Sequence, residues 1–216
     1  MSEDRYLQLC RVAGDVSRET YNRLEWFETE FRRWNARINL AAESTLPELW
    51  SRHILDSAQL LPLARGQLAW LDLGSGGGFP GAIMAILLAE TPGAGVTLVE
   101  SNRKKAAFLQ TVLAQNKAPA RVVALRIDAA VGQVATPDIV TARALAALDQ
   151  LLDLSSPWLL SGARGLFHKG RDYQAEVANS RVVWDFDLIE HPSKIDEDSV
   201  VLEIGNLARK TAVAGE

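Results

Sequence analysis

The residues with the clearest chemical potential lie in one short segment, which reads WLDLGSGGGFPG from position 70 to position 81. An apolar run reaches an acidic residue, Asp72, a glycine-rich turn follows, and a second apolar run begins at Ala82. This order predicts a strand, a tight turn and a helix. Glycine permits positive φ and close approach of a ligand, and a helix start offers free N–H groups. The segment is therefore typical of a site for a nucleotide-like cofactor.

The identity of that cofactor depends on the residues around the glycines. Gly76, Gly78 and Gly81 formally match the dinucleotide fingerprint GxGxxG, but the match begins late, because Asp72 and Gly74 precede it. A carboxylate directly before the turn suits a cationic ligand better than a pyrophosphate. S-adenosylmethionine carries a sulfonium and an ammonium group and no phosphate, so the pattern favours it over NAD.

A second acidic residue supports a nucleoside-containing ligand. Glu100 follows the apolar run at 96–99, where a carboxylate can accept both ribose hydroxyls of an adenosine. NAD and S-adenosylmethionine share that ribose, so Glu100 does not separate them. A glycine-rich turn without a ligand is the alternative, and it is disfavoured because glycines lose much conformational entropy on folding.

Composition sets broad limits on the rest of the protein. The 216 residues are 48% hydrophobic and 23% charged, as expected for an ordinary globular domain with an appendage, and the longest apolar run is too short to span a bilayer. We expect a cytoplasmic monomer without a signal peptide. Because the chain has one cysteine and three histidines, we expect no disulfide framework and no metal site. The net charge of −4 means that any RNA binding must use local basic patches.

Helical patterns precede the glycine turn. Residues 17–40 carry one apolar stripe, formed by Leu24, Phe27, Phe31, Trp34 and Ile38. The capping-box pattern at 45–48 predicts a second helix that carries Leu49, Trp50, Ile54, Leu60 and Leu61. We assign residues 1–64 to a helical extension and residues 65–216 to the cofactor-binding core.

Strands and helices alternate from residue 68 onward. Strands are predicted at 68–73, 95–100, 121–127, 138–142 and 163–168, and helices at 80–90, 102–116, 144–154 and 172–180. This alternation predicts an α/β fold with a parallel sheet and helices on both faces. The runs at 182–190 and 199–204 have no helix between them, which indicates a terminal antiparallel hairpin. Five parallel strands followed by a hairpin are the Rossmann-like plan of class I S-adenosylmethionine-dependent methyltransferases.

Several stretches together resemble the small-subunit ribosomal RNA guanine-N7 methyltransferase family (RsmG, also called glucose-inhibited division protein B). They are NL at 39–40, RHILDS at 52–57, DLGSGGGFPG at 72–81, VESNRKK at 99–105, FL at 108–109, RA at 143–144 and KG at 169–170. The resemblance implies methyl transfer from S-adenosylmethionine to guanine N7 at about position 527 of 16S rRNA in the 30S subunit. The substrate is then naked rRNA or an assembled particle.

The resemblance also implies site residues. It places cofactor contacts at Gly74 and Phe79 in the turn, with Glu100 as the ribose-binding acid. We also expect cofactor contacts from Asp72, Ser75, Gly76 and Gly78, which belong to the same strand end and turn. Ile127 and Asp128, at the end of the third strand, match the pair that flanks adenine, and Arg143 matches an arginine near the reacting centre. Ala142 and Asp128 depart from the serine and glutamate that are common in the family.

Basic residues at strand ends provide a hypothesis for substrate binding. The carboxyl ends of parallel strands share one edge of a sheet, so residues distant in sequence converge there. We expect Arg143 and Lys169 near the reaction, and Arg103, Lys104, Lys105, Lys169 and Arg171 on RNA phosphates. The alternatives are solvated helix residues for Lys104 and Lys105, and a salt bridge to Asp72 or Asp128 for Arg143.

Guanine N7 chemistry would not require a catalytic dyad, because N7 carries an in-plane lone pair and no proton. Alignment alone can lower much of the barrier. Cys10 lies far from the motif, so a cysteine nucleophile is not expected. His53 and Asp56 share one helix face and either bond each other or clamp the helical extension over the cofactor.

Three other functions are compatible with parts of the pattern. They are a methyltransferase acting on a protein or small molecule, a nicotinamide oxidoreductase, and a non-catalytic RNA-binding module. Asp72 and the terminal hairpin disfavour the oxidoreductase, and the intact turn with Glu100 disfavours the non-catalytic module.

Overall fold

A computed structural model describes residues 2–211, and its amino-terminal part is helical. Helices α1 (Ser2–Ala13) and α2 (Arg18–Ile38) come first. The Ser17 hydroxyl caps α2 by accepting the Thr20 N–H at 3.0 Å. The predicted helix over 17–40 is thus confirmed, and its stripe residues Leu24, Phe27 and Phe31 are fully buried.

The helix predicted from residue 45 is wrong as a single element. The segment consists of a 3-10 helix (Glu43–Glu48), a π-helical turn (Trp50–Leu55), the short helix α3 (Asp56–Ala58) and a 3-10 helix (Leu61–Ala64). The capping box does not form, because the Thr45 hydroxyl donates to the Ala42 carbonyl at 2.8 Å instead of accepting a helix N–H. Pro47 lies inside the first piece and lacks the N–H that a regular helix would need.

Within residues 2–211, seven strands form one sheet in the order β3-β2-β1-β4-β5-β7-β6. The first five are parallel, and β7 runs antiparallel to both of its neighbours, which confirms the predicted fold class with its terminal hairpin. The strands are β1 (Ala69–Leu73), β2 (Gly95–Val99), β3 (Ala120–Val123), β4 (Ile139–Arg143), β5 (Arg164–Lys169), β6 (Trp184–Pro192) and β7 (Val200–Arg209).

Helices and two hydrophobic cores cover both faces of the sheet. Alternate strand residues point to opposite faces. Trp70 belongs to the core that also contains residues of the amino-terminal helices, α4 (Gly81–Leu87) and α5 (Arg103–Gln115), and Leu71 belongs to the core that contains residues of α7 (Leu148–Leu159). Within residues 2–211 no helix combines the length and apolar character needed to cross a membrane. The core helices are α4 (Gly81–Leu87), α5 (Arg103–Gln115), α6 (Ile127–Ala130), α7 (Leu148–Leu159) and α8 (Tyr173–Ser180).

Two predicted boundaries near the carboxyl edge of the sheet need correction. Strand β3 ends at Val123 and does not continue to residue 127, because its only sheet neighbour, β2, pairs it last through Val99. Ile127 therefore opens α6 instead of ending a strand. Helix α7 begins at Leu148 and not at residue 144, because Ala144 has a φ of 50°, which a right-handed helix cannot include.

Candidate active site

The glycine-rich turn joins β1 to α4 in a backbone conformation that only glycine adopts readily. Gly74, Gly76 and Gly78 have φ angles of 67°, 54° and 98°. Space is limited as well, since a Cβ on Gly74 would lie 2.6 Å from Leu145 and one on Gly78 would lie 2.7 Å from Ala82. The turn thus needs glycine both for its φ angles and for its close contacts.

Glu100 lies beside the turn at the end of β2. One carboxylate oxygen accepts the Gly76 N–H and the other accepts the Asn102 N–H, each at 2.7 Å. The residue is 7% exposed, and each oxygen keeps a further lone pair for a ligand. The two backbone bonds fix the carboxylate in a position where it can accept a pair of hydroxyl groups.

A cavity of about 660 Å³, the cofactor cavity, extends from the turn across the ends of β1 and β2. Its walls carry backbone and apolar groups, the carboxylates of Glu100 and Asp128, and three basic side chains, Lys105, Arg126 and Arg143. Asp128 already accepts its neighbour's N–H, from Ala129 at 3.0 Å. The predicted cofactor residues on these walls are Gly74, Ser75, Gly76, Phe79, Glu100, Ile127, Asp128 and Arg143.

Asp72 lies beneath the turn and not on the wall of the cofactor cavity. Its carboxylate accepts the Thr141 hydroxyl at 2.8 Å and is 1% exposed. A Cβ on Gly81 would come within 2.5 Å of Asp72 Oδ2, so α4 begins directly against this carboxylate. Burial raises the pKa of Asp72 to about 6, against the lowering effect of the hydroxyl bonds from Ser75 and Thr141. The expected direct contact between Asp72 and a cationic ligand is not what the structure shows.

Arg143 ends β4 and is held by the helical extension. Its Nη1 donates to the Arg52 carbonyl at 2.9 Å and to Asp56 Oδ2 at 2.8 Å, and its Nη2 donates to His53 Nδ1. The anticipated salt bridge therefore exists, but its partner is Asp56 instead of Asp72 or Asp128. Burial lowers the pKa of Arg143, Asp56 opposes that effect, and a guanidinium stays charged.

His53 is neutral and is fixed in one tautomer. Burial, followed by the charges of Arg143 and Arg52, lowers the pKa of His53 to about 4. Because Nδ1 accepts from Arg143, the ring proton is on Nε2. The ring stacks on Phe79 with centroids 4.9 Å apart. Of the two roles expected for His53 and Asp56, the structure shows the clamp, with Arg143 as the residue that both hold.

A second cavity of about 840 Å³ lies on the other side of Arg143. His168, Lys169 and Gly170 from the end of β5 line it, together with Asp56. The residues common to both cavities are His53, Arg143, Ala144 and Leu145. A ligand in one cavity and a ligand in the other would therefore meet at Arg143 and His53.

The predicted basic residues lie at the carboxyl edge of the sheet, but some are paired with other residues and some are exposed. The Lys169 ammonium donates to Glu176 and to the Ala146 carbonyl, both at 2.7 Å, and its side chain is 7% exposed. Arg171 is exposed and pairs with Asp198. Arg103 and Lys104 lie exposed in the first turn of α5, which the Asn102 side chain caps.

Sequence reasoning missed two residues that hydrogen-bond to Asp56. His168 is buried in β5, donates from Nε2 to the Asp56 carbonyl at 2.9 Å, and has an Nδ1 without a hydrogen-bond partner among the described residues. A histidine directly after the apolar residues Leu166 and Phe167 was the available signal. Gln59 donates to Asp56 Oδ1 at 2.7 Å, and nothing in the local sequence distinguishes it.

The donor set of the cofactor cavity fits S-adenosylmethionine. The two available lone pairs of Glu100 match a ribose diol, and Asp128 offers a further carboxylate acceptor on the same wall. Within residues 2–211 no three His, Cys, Asp or Glu residues are grouped so that they could hold a metal ion. Sheet order, glycine turn and acidic strand end together define a class I S-adenosylmethionine-dependent methyltransferase.

Comparison with known proteins identifies the family within that class. The model of the family described as "rRNA small subunit methyltransferase G" matches residues 20–196, and the chain belongs to this family. The ribosomal RNA small subunit methyltransferase G of Chelativorans sp. is 57% identical over 97% of this chain and all of its own length. The protein of the same description from Brucella anthropi is 56% identical over 98% of this chain and its full length.

Solved structures show the same fold at low identity. Cofactor-bound Rv0187 from MTB has a TM-score of 0.59 and 15% identity, covering 94% of this chain and 95% of its own. The O-methyltransferase TomG from Streptomyces achromogenes, in complex with S-adenosylmethionine, has a TM-score of 0.54 and 16% identity, with 85% and 89% covered. The resemblance, fold class and cofactor drawn from the sequence are confirmed, and the nicotinamide and non-catalytic alternatives are set aside.

Proposed function

We propose that this methyltransferase modifies N7 of a guanine in 16S rRNA, at about position 527, on the assembled 30S subunit. The observation that carries the proposal is the meeting of two cavities at Arg143 and His53. One cavity has the donor set for S-adenosylmethionine, and the other has room for a flipped or unpaired base. Family membership supports ribosomal RNA as the source of that base.

The residues that would hold the cofactor lie on several loops. Glu100 would accept the ribose hydroxyls, Ile127 would pack on adenine, and Asp128 would accept a hydrogen bond from the adenine edge. The bound cofactor supplies an electrophilic methyl group on a sulfonium. Asp72, buried beneath the turn, contributes by fixing the start of α4 against β1 and β4.

The site is suited to a nucleophile that carries no proton. His53 Nδ1 is occupied by Arg143, and Lys169 is paired with Glu176, so neither is arranged as a general base. Guanine N7 needs none, because its lone pair lies in the ring plane. We infer that the protein lowers the barrier chiefly by aligning the base with the methyl group.

Arg143 is the residue we assign to the target base. A guanidinium has five N–H donors, and three are used within the protein. The remaining donors can bind guanine O6, which lies next to N7, and leave the N7 lone pair free. Adenine presents an amino donor at the same place and would meet Arg143 unfavourably.

A local basic surface supports binding of RNA phosphates despite the net charge of −4. Arg103 and Lys104 are exposed at the start of α5, and Lys105 lies on the wall of the cofactor cavity. Lys169 and Arg171 would reach phosphates only by leaving Glu176 and Asp198. We infer that a cytoplasmic monomer relies on the folded particle to present the base.

The test is methyl transfer from labelled S-adenosylmethionine to 30S subunits that lack the modification, with naked 16S rRNA in parallel, followed by nucleoside digestion. We expect label in 7-methylguanosine at one position, and more of it from 30S subunits than from naked rRNA. Arg143→Ala should lower the rate far more than it lowers Tm. Label in another nucleoside would contradict the N7 assignment and leave the methyltransferase class intact.

A further inference from the structure

We propose that Asp56 and His53, in the helical extension, are positioning residues that aim Arg143 at the target guanine. The inference rests on the proposed function, since it assigns the base-reading geometry of that same site. Arg143 is the group that would contact the base. Asp56 and His53 act through it, from the part of the chain that precedes the cofactor-binding core.

The clamp comes from one irregular turn of helix. In a regular α-helix the Asp56 N–H would bond to the Arg52 carbonyl. Here it bonds to the Ser51 and His53 carbonyls, and the Arg52 carbonyl accepts from Arg143 instead. The π-helical turn thus presents a carbonyl, an imidazole nitrogen and a carboxylate to one guanidinium. Such turns are frequent at functional sites.

Asp56 is itself fixed from two further directions. Its Oδ1 accepts from Gln59, and its backbone carbonyl accepts from His168 in β5. Gln59 also accepts the backbone N–H of Lys194 at 3.0 Å, in the connection between β6 and β7 that helps to line the second cavity. The Asp56 carboxylate is therefore held in one position, and its hydrogen bond to Arg143 restricts the position of the guanidinium.

These contacts hold the planar guanidinium of Arg143 at the wall that the two cavities share. The side chains of Arg143 and Asp56 are 18% and 14% exposed, so solvent competes weakly for their contact. With two donors left, Arg143 can bind a base acceptor only in the plane that the clamp allows. Loosening the clamp would misalign N7 with the methyl group, and displacement by about 1 Å can reduce a rate about 100-fold.

The experiment measures single-turnover rates on 30S subunits, cofactor affinity by calorimetry, and Tm for a set of variants. Asp56→Ala removes the carboxylate, and Asp56→Asn keeps an acceptor oxygen without the charge. His53→Asn keeps an acceptor near the Nδ1 position, and His53→Leu removes it. Glu19→Gln, which breaks an exposed ion pair on α2, is the matched control within the same extension.

We expect Asp56→Ala to lower the rate about 10- to 100-fold, with cofactor affinity within about twofold of the wild type, because Asp56 does not line the cofactor cavity. The rate should fall less in Asp56→Asn than in Asp56→Ala, and His53→Asn should react faster than His53→Leu. Glu19→Gln should match the wild type. Asp56→Asn gives a second reading if the alanine variant folds poorly.

The decisive comparison repeats Asp56→Ala in an Arg143→Ala background. A positioning residue that acts through Arg143 should have almost no further effect there, whereas independent effects would multiply. Multiplying effects, or a wild-type rate for Asp56→Ala, would overturn the inference. Absence of 7-methylguanosine from the wild-type reaction would instead overturn the proposed function, so the two failures are distinguishable.

Discussion

Asp72 and His53 both lie near the glycine turn, and burial shifts the pKa of each toward its neutral form. Burial raises the pKa of Asp72 to about 6 and lowers that of His53 to about 4. The sequence indicated that both residues belong near the site. It could not predict their partners, since Asp72 bonds a residue 69 positions away and His53 contacts one 90 positions away.

Asp72→Asn tests the buried carboxylate. A folded pKa above the unfolded value of about 3.8 means that stability is fully present below pH 3.8 and is lost as pH rises through about 6. The asparagine variant does not ionise at this position and therefore does not lose this stability. Between pH 4.5 and pH 7, its free energy of unfolding relative to that of the wild type should increase by about 2 kcal/mol.

Urea unfolding at the two pH values measures that gain, and the exposed Asp149→Asn is the matched control. A gap between Asp72→Asn and the wild type that does not change with pH would show that Asp72 is not perturbed as described.

His53 should stay neutral throughout the pH range of activity. Its lowered pKa has the opposite consequence for stability, which is fully present above pH 6.5 and is lost as pH falls toward about 4. NMR titration of the ring protons should show no transition between pH 5.5 and pH 8, with the proton on Nε2. A transition near pH 6.5 would rule out the fixed neutral tautomer that holds Arg143.

At the scale of elements, hydrophobic periodicity predicted most of the sheet and its helices, because buried strands and amphipathic helices repeat with distinct periods. Periodicity did not predict where a strand ends when that end depends on pairing with a neighbouring strand. Strand β3 stops at Val123 because β2 offers no further partner, although the apolar run continues to Leu125. The π-helical turn was equally invisible, since His53 and Asp56 fit a regular helical spacing.

Gly78→Ala tests whether the turn needs glycine for space as well as for φ. Gly132 has a similar positive φ, 82° against 98°, but a Cβ there would meet nothing within 4 Å. Both alanine variants strain the backbone, and only Gly78→Ala also forces a contact with Ala82. Urea unfolding should show Gly78→Ala as the less stable of the two by about 1–3 kcal/mol.

Gly78 does not itself line the cofactor cavity, but its neighbours Gly77 and Phe79 do. The cofactor affinity of Gly78→Ala should therefore fall as well, because a shift at Gly78 would displace them. If the two variants had equal stability and equal cofactor affinity, the close packing at Gly78 would contribute neither to stability nor to cofactor binding.

At the scale of the whole molecule, the sequence predicted the fold class but not how the extension and the hairpin are joined. Buried Glu203 in β7 accepts from Arg164 at 2.5 Å and from Arg65 at 3.1 Å, and His191 donates to it at 2.8 Å. Arg164 also donates to the Leu63 carbonyl of the extension at 3.2 Å. No local pattern could reveal these contacts, because the partners come from three separate parts of the chain.

Glu203→Ala should destabilise the protein without harming the site directly. Removing the carboxylate leaves the Arg164 charge buried and unpaired, and breaking such a pair costs about 3–5 kcal/mol. Arg164 begins β5, whereas the active site lies at the carboxyl ends of the strands. Thermal unfolding should show a large fall in Tm, while calorimetry at low temperature shows near wild-type cofactor affinity. Loss of affinity in a fully folded sample would contradict this separation.

We propose that two cavities meeting at Arg143 align a base with the cofactor's methyl group and that no proton is transferred. The most direct measurement is the pH dependence of the single-turnover rate of methyl transfer to 30S subunits, at saturating cofactor, from pH 6.5 to pH 9. We expect a rate constant that does not vary with pH. A rate that rises tenfold per pH unit and then levels off would reveal a general base and rule out transfer by alignment alone.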